Sequence, residues 1–156
     1  MGANGQLGGN FGSFVDAQTG KGYQTIGHFE GMSIVTTSDK RPLSAPIVSQ
    51  DAVVMGLVRH SAKSQVKYIA FYDKKTKSVK KTIDILYDSE GNIVPSQYKI
   101  VKGKRVVIGT HSHRWEEHAG GNTGRVSHDE DNRFLLTKRE LRWLQKAERY
   151  NQSQAE

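Results

Sequence analysis

Short apolar runs separated by turn residues constrain the fold of this chain more than any other feature. The run AVVMGLV (52–58) fits a buried strand, while VKYIAFYD (66–73) and VKKTIDILYD (79–88) mix β-branched and aromatic residues. A Lys/Thr-rich turn separates the last two runs, so they predict a hairpin. The turn at Lys102, between YKIV and KRVVIG, predicts another hairpin of the tight two-residue kind. Residues 52–109 therefore predict an antiparallel sheet of about four to five strands.

The C-terminal segment carries the signals of one helix. Thr137 and Glu140 form a capping box, in which each side chain accepts a hydrogen bond from the backbone N–H of the other residue. Leu141 and Leu144 follow at helical spacing, which predicts a helix over about residues 138–150 with its Leu/Ala face packed on the sheet. The fold class that follows is α+β.

The first 50 residues differ from the rest in glycine content and in charge. Nine of the 16 glycines lie in the first 31 residues, which raises the entropic cost of ordering this part of the backbone. Two prolines and several small polar residues at 37–50 predict a linker. Three bases balance three acids before residue 51, so the net charge of +7 belongs to the remainder. We predict a Gly-rich, partly irregular N-terminal arm and linker (1–50) and a basic α+β domain (51–156).

The composition excludes several classes of protein. The chain has no cysteine, so it has no disulfide framework, no thiolate nucleophile and no cysteine-ligated metal. No window approaches the roughly 18 consecutive apolar residues of a membrane-spanning helix, and the N-terminus lacks the pattern of a signal peptide. We expect a soluble basic protein without a membrane partner, whose compartment and oligomeric state are open.

Residues 110–133 contain the most informative cluster of polar residues. This segment has no apolar period and predicts a long loop, a class of segment that is often functional. It holds four of the six histidines. In extended backbone, residues i and i+2 face the same side, so His111 and His113 would project together. The plain alternative is that these histidines are only solvated.

One interpretation of the segment is metal-independent cleavage of RNA, with no cofactor. This reaction needs a base for the 2′-hydroxyl proton, an acid for the leaving oxygen and cations that stabilise the phosphorane. His111 and His113 would exchange the protons. Arg114 and Arg125 would hold the phosphate. Trp115 would stack on a base, or would instead anchor the loop on the sheet.

A second interpretation uses a divalent transition metal. An HxH pair with further histidines can bind such an ion in a metal-dependent hydrolase or nuclease. The segment offers four imidazole ligands: His111, His113, His118 and His128.

Basic residues are concentrated in two predicted hairpins. Lys80 and Lys81 lie in one hairpin, and Lys104 and Arg105 lie in the other. Such clusters attract RNA or another polyanion, although basic residues also protect an exposed sheet edge from aggregation. A third alternative is a non-enzymatic phage or mobile-element structural or accessory protein whose basic sheet binds nucleic acid or a partner. The glycine-rich arm, which would become ordered on assembly, is the feature that favours it.

The order of motifs resembles a known class of bacterial toxins. KYIAFYD (67–73), KKTIDILYD (80–88), HSHRW (111–115) and a closing helix are similar to the small C-terminal toxin domains of polymorphic toxins and phage minor-head proteins, with the compact sheet of barnase and RelE-like ribonucleases. The resemblance covers about residues 66–145. It implies an RNA-cleaving effector with the paired histidines at its site. It also implies an acidic immunity protein as partner, and a larger secreted or phage-borne protein as the source.

Overall fold

A computed structural model describes residues 12–16, 18–37, 45–59, 64–117, 123–125 and 132–154. These residues form an eight-stranded sheet, a two-stranded sheet and a C-terminal helix. The strands are β1 (Ser13–Val15), β2 (Gly22–Phe29), β3 (Met32–Thr37), β4 (Val53–Arg59), β5 (Ser64–Tyr72), β6 (Val79–Asp84), β7 (Gln97–Val101), β8 (Lys104–Ile108), β9 (His111–Glu117) and β10 (Thr123–Arg125). The helix α1 spans Lys138–Gln154.

The large sheet has the strand order β10-β9-β6-β5-β4-β3-β2-β1. Neighbouring strands are antiparallel except β3 and β4, which are parallel. The predicted α+β class and the predicted β5–β6 hairpin are confirmed. The predicted size of the sheet is wrong. Strands β4 to β8 do lie within 52–109, but β1 to β3 precede that range, β9 and β10 follow it, and β7 pairs only with β8.

The glycine-rich N-terminal region contributes strands that its composition concealed. β-Branched residues lie between the two glycines of β2 and fill most of β3, which follows the last glycine of this region. The two strands pair through a tight turn at Glu30 and Gly31. Both turn residues have positive φ, 46° and 87°, as a type I′ turn requires. The division into an arm and a basic domain stays a prediction, and residues 38–44 of the predicted linker lie outside the described part of the chain.

Each face of the large sheet covers its own hydrophobic core. The helix side contains the side chains of Met55, Ile69 and Ile83, against which Leu144, Ala147 and Tyr150 of α1 pack. The opposite side contains Val35, Val54, Tyr68, Ala70 and Tyr72. This division follows from strand alternation, since successive residues point to opposite faces.

The helix begins at the predicted capping box. The Thr137 N–H donates to Glu140 Oε1 at 2.9 Å, and the Glu140 N–H donates to Thr137 Oγ1 at 3.1 Å. One residue of the predicted apolar face is misplaced, because Leu141 is 41% exposed. Glu140 occupies the buried position of that turn instead. No helix among the described residues is long and apolar enough to cross a membrane.

The predicted loop at 110–133 is wrong over two stretches. His111–Glu117 is strand β9 and Thr123–Arg125 is strand β10. The sequence of β9 has no apolar period because its inward-facing side chains form hydrogen bonds with polar neighbours. Residues 118–122 and 126–131 lie outside the described residues.

Candidate functional site

The register between β6 and β9 brings three ionisable side chains to one face of the sheet. Asp84 lies directly opposite His111, and Thr82 lies opposite His113. Directly opposed residues of an antiparallel pair share a face, as do residues i and i+2 of one strand. Asp84, His111 and His113 therefore converge on the side of the sheet away from α1.

The three side chains are close enough to share one ion. The Nε2 atoms of His111 and His113 are 3.0 Å apart. Asp84 Oδ2 lies 3.0 Å from the His113 Nε2 atom and 3.8 Å from the His111 Nε2 atom. A tetrahedral ion with ligand bonds of about 2.0–2.2 Å separates neighbouring ligand atoms by roughly 3.3–3.6 Å. The observed spacings bracket that range.

The outer ring nitrogens fix the tautomer of both histidines. His111 Nδ1 lies 2.7 Å from the Gly109 carbonyl oxygen, and His113 Nδ1 lies 2.6 Å from the Asn132 carbonyl oxygen. A carbonyl can only accept, so each Nδ1 carries a proton and donates it. In the neutral imidazoles both Nε2 atoms then present lone pairs to each other and to the Asp84 carboxylate. Three acceptors at this distance repel one another unless a proton or a metal cation lies between them.

The cluster is enclosed by the protein but open on one side. The histidines are 5% and 2% exposed, whereas the Asp84 side chain is 32% exposed. Burial lowers the pKa of His111 below its usual value, an effect that outweighs the hydrogen bond to Gly109 and the charge of Asp84. The lowered pKa favours the neutral imidazole, which is the form that binds a metal.

Residues 132–134 run beside β9 and complete the site. The Asn132 side chain holds both backbone groups of Arg114: its Oδ1 accepts from the N–H at 2.8 Å and its Nδ2 donates to the carbonyl at 2.9 Å. The backbones of Phe134 and Ser112 also exchange two hydrogen bonds of 3.0 Å. These contacts fix the Asn132 carbonyl that orients His113.

The same segment brings a cation to the cluster. Phe134 pairs with Ser112, so backbone alternation directs Arg133 to the opposite face, which is that of His111. The positive charge of Arg133 contributes to lowering the pKa of His111. Its Nε atom is buried and makes no hydrogen bond among the described residues. Arg133 thus brings to the cluster a guanidinium whose Nε–H is unpaired among the described residues.

Of the other residues predicted for the site, the structure separates Arg114 from this cluster. Arg114 is exposed and lies over the ring of Phe134, 5.0 Å from its centroid, on the face of β9 away from His113. Trp115 is half-buried, and its Nε1 donates to Thr82 Oγ1 at 3.0 Å. This hydrogen bond anchors the indole ring on the neighbouring strand of the sheet. Arg125 belongs to β10, but its side chain is outside the described residues, as are His118 and His128.

The basic residues predicted to bind nucleic acid have different surroundings. Lys81 pairs with Glu140 at 2.9 Å and lies over the ring of Phe71, so it serves the interface between sheet and helix. Lys80 is exposed on β6, and Lys104 and Arg105 are exposed on β8.

Sequence reasoning missed Asp84 and Arg133. The charged side chain of Asp84 inside the apolar strand TIDIL indicates a partner for its carboxylate, since carboxylates are rarely placed in such a strand without one. Its partner depends on the register of β6 and β9, which the sequence does not reveal. Arg133 follows an acidic run and resembled a simple counter-charge.

Comparisons with protein families, with curated proteins and with solved structures find no match for this chain. The class of this site is therefore inferred from its possible ligand atoms. Two imidazoles and one carboxylate, with the outer ring nitrogens hydrogen-bonded to the backbone, are a set that could hold a single divalent transition metal and leave positions open for water or substrate.

Proposed function

We propose that this protein is a divalent-metal-dependent hydrolase that cleaves phosphodiester bonds. Asp84, His111 and His113 hold the metal. The observation that carries the proposal is the orientation of both imidazoles: each Nδ1 is tied to a backbone carbonyl, so both Nε2 lone pairs are directed at the Asp84 carboxylate.

Hydrolysis follows from the chemistry of such an ion. A bound divalent metal lowers the pKa of its water ligand and supplies hydroxide near neutral pH. With the ion held by Asp84, His111 and His113, the oxygen of that water would bond to phosphorus as the bond to the leaving oxygen breaks. The proton lost by the water would pass to the leaving oxygen. The guanidinium of Arg133 stabilises the negative charge that develops on the phosphoryl oxygens.

The charge of the molecule supports a phosphodiester as the substrate class. The chain carries a net charge of +7, and the residues that precede β9 include an exposed basic hairpin. A polyanion is drawn to such a surface and concentrated beside the cluster.

Metal-independent RNA cleavage by the two histidines stays a prediction that competes with this proposal. In that mechanism the base and the acid bond to oxygens on opposite sides of phosphorus, each at about 2.7–3.1 Å. The 3.0 Å between the two Nε2 atoms leaves no room for a phosphoryl group between them. That distance favours the metal-dependent reaction.

The test is metal analysis combined with a cleavage assay. The purified chain is stripped with EDTA, reloaded separately with Zn²⁺, Mn²⁺, Fe²⁺ or Mg²⁺, and assayed on single-stranded RNA and DNA. We expect about one equivalent of a transition metal and cleavage that EDTA abolishes and one of the metals restores. Cleavage that persists in a metal-free preparation and is lost in His111→Ala would establish the metal-independent mechanism instead.

His28→Ala is the matched control for His111→Ala. His28 is an exposed histidine on β2, five strands from β9 in the sheet order. At about 4.8 Å per strand it lies too far from the cluster to act as a ligand. Its loss should leave both metal content and cleavage unchanged.

A further inference from the structure

The hairpin of β7 and β8 exposes apolar and basic side chains together. All five residues of β7 are exposed, including Tyr98 at 48% and Ile100 at 66%. The segment QYKIVKGKRVVI (97–108) contains four basic residues and no acidic one. Lysines alone would protect an exposed edge, but an exposed tyrosine and isoleucine among uncompensated charges indicate a binding surface.

The register places Tyr98, Ile100 and Arg105 on one face of the hairpin. Strand alternation places Lys99 and Lys104 on the other face. Tyr98 lies opposite Val107, and Ile100 lies opposite Arg105. Val107 is buried, so this end of the face packs against the rest of the protein. The Arg105 guanidinium lies 4.2 Å from the centroid of the Tyr98 ring. The exposed end of the face is therefore an aromatic ring, a guanidinium and an aliphatic side chain in a row.

The hairpin leads directly to the metal-ligand cluster. Only Gly109 and Thr110 separate the end of β8 from His111, and the Gly109 carbonyl orients that imidazole. The Thr110 N–H donates to the Val94 carbonyl at 3.1 Å, which fixes the base of the hairpin. A strand of five residues spans about 17 Å, so a polymer lying along the hairpin would reach the cluster after a few monomers.

We propose that the β7–β8 hairpin binds single-stranded nucleic acid and guides it to the cluster of Asp84, His111 and His113. The choice of substrate rests on the proposed phosphodiester hydrolysis. Bases stack on the row formed by Tyr98, Arg105 and Ile100. The ammonium of Lys102 in the turn contacts the phosphates, and Lys99 and Lys104 on the other face strengthen the positive potential of the hairpin.

The exposed ring distinguishes this occupant from other polyanions. A duplex hides its bases and offers only phosphates to the lysines. An acidic protein would likewise meet the charges without requiring an aromatic platform. Unpaired bases use both the charges and the ring, since stacking contributes about 1–3 kcal/mol per base.

The experiment measures binding without cleavage. A fluorescein-labelled oligouridylate of about twelve nucleotides is titrated with the full chain in EDTA, and its anisotropy is followed at several salt concentrations. We expect Tyr98→Ala to weaken binding by about tenfold and Tyr98→Phe to retain it, because the ring and not the hydroxyl stacks. Lys99→Ser/Lys104→Ser should weaken binding and reduce its salt dependence.

The matched control is Lys74→Ser/Lys75→Ser in the exposed turn between β5 and β6. It removes the same charge from another hairpin, and binding should change by less than about twofold if the site is local. An equal loss in both double variants, no loss in Tyr98→Ala, or equal competition by a duplex or by polyglutamate would overturn the proposal. Circular dichroism of each variant confirms that the sheet is intact.

The binding surface and the metal-dependent hydrolysis can be refuted independently of each other. Because EDTA is present, binding does not depend on the metal. Hairpin variants that bind as well as the wild type refute the guiding surface and leave metal-dependent hydrolysis standing. A protein that binds the oligonucleotide through the hairpin but contains no metal and cleaves nothing refutes the hydrolase and retains the binding surface.

Discussion

His111 and His113 face each other with 3.0 Å between their Nε2 atoms, while each holds a backbone carbonyl through its Nδ1. The backbone contacts prevent either ring from turning its lone pair away. A cation between the rings removes the repulsion, and the nearby Asp84 carboxylate supplies a negative charge that attracts it.

Asp84→Asn should remove the metal while keeping the fold. The amide is nearly the same size as the carboxylate but lacks its charge, so we expect metal content to fall well below one equivalent and cleavage to fall at least about 100-fold. Elemental analysis and the RNA assay measure the two effects. Asp51→Asn, an exposed position outside the cluster, is the control. Full metal content in Asp84→Asn would exclude this carboxylate as a ligand.

Arg133→Ala and Arg114→Ala should have different effects on cleavage. The Arg133 Nε–H has no hydrogen-bond partner among the described residues, so the removal of this side chain should reduce cleavage by about 10–100-fold without loss of metal. Arg114 lies over Phe134 on the other face, and its removal should change cleavage by less than about threefold. Steady-state kinetics with measured metal content distinguish the two. The reverse order of effects would assign the phosphate contact to Arg114, as the sequence predicts.

Gly109→Ala should destabilise the protein more than Gly103→Ala. Both glycines have φ of +76°, where a Cβ costs about 1 kcal/mol or more. At Gly103 the added atom meets nothing within 4 Å, but at Gly109 it would lie 2.1 Å from the Pro95 carbonyl oxygen. We expect about 1 kcal/mol for Gly103→Ala and at least about 2 kcal/mol more for Gly109→Ala. Urea unfolding of the two variants gives the difference.

The same pair of glycines tests how His111 is oriented. The Gly109 carbonyl accepts the His111 Nδ1 proton, so a shifted backbone at this position should also weaken metal binding. Gly103→Ala should leave metal affinity unchanged. Equal metal affinity in the two variants would mean that the Gly109 contact does not position the ring.

Glu140→Gln should lower stability in a pH-dependent manner. The backbone N–H of Thr137 and the ammonium of Lys81 together lower the pKa of Glu140 below its usual value, although burial opposes them. A carboxylate with a lowered folded pKa adds stability above its unfolded pKa, and this stability is lost as pH falls through the folded pKa.

The variant should therefore be less stable than the wild type near neutral pH, by about 1–2 kcal/mol, and the difference should vanish in acid below the folded pKa of Glu140. Urea unfolding across the acid range measures it. Glu148→Gln, an exposed glutamate of the same helix, should show no such trend. A constant difference at all pH values would assign the role of Glu140 to packing instead of charge.

Local patterns account for the elements that the sequence predicted well. The capping box of Thr137 and Glu140 requires only neighbouring residues, and the tight turn at Lys102 requires only a conformation that the following glycine favours. The HxH spacing likewise placed both histidines on one face. Each of these signals is complete within a few residues of chain.

The rest depended on contacts between distant segments. Glycines concealed β2 and β3, whose stability comes from pairing within the sheet. Polar β9 lacked an apolar period because its partners are the side chains of other segments: Asp84, Thr82 and Asn132. The β-strand propensities of single residues do not include such partners, because strand formation depends strongly on the neighbouring strands.

The sequence by itself determined the α+β class, the helix and its start, the basic hairpin and the pairing of His111 with His113. Only the tertiary structure decided that Asp84 joins these histidines, that Arg133 lies beside them and that Arg114 does not. The physical reason is strand register, because a shift of one residue between β6 and β9 would place His111 and His113 on the opposite face of the sheet from Asp84.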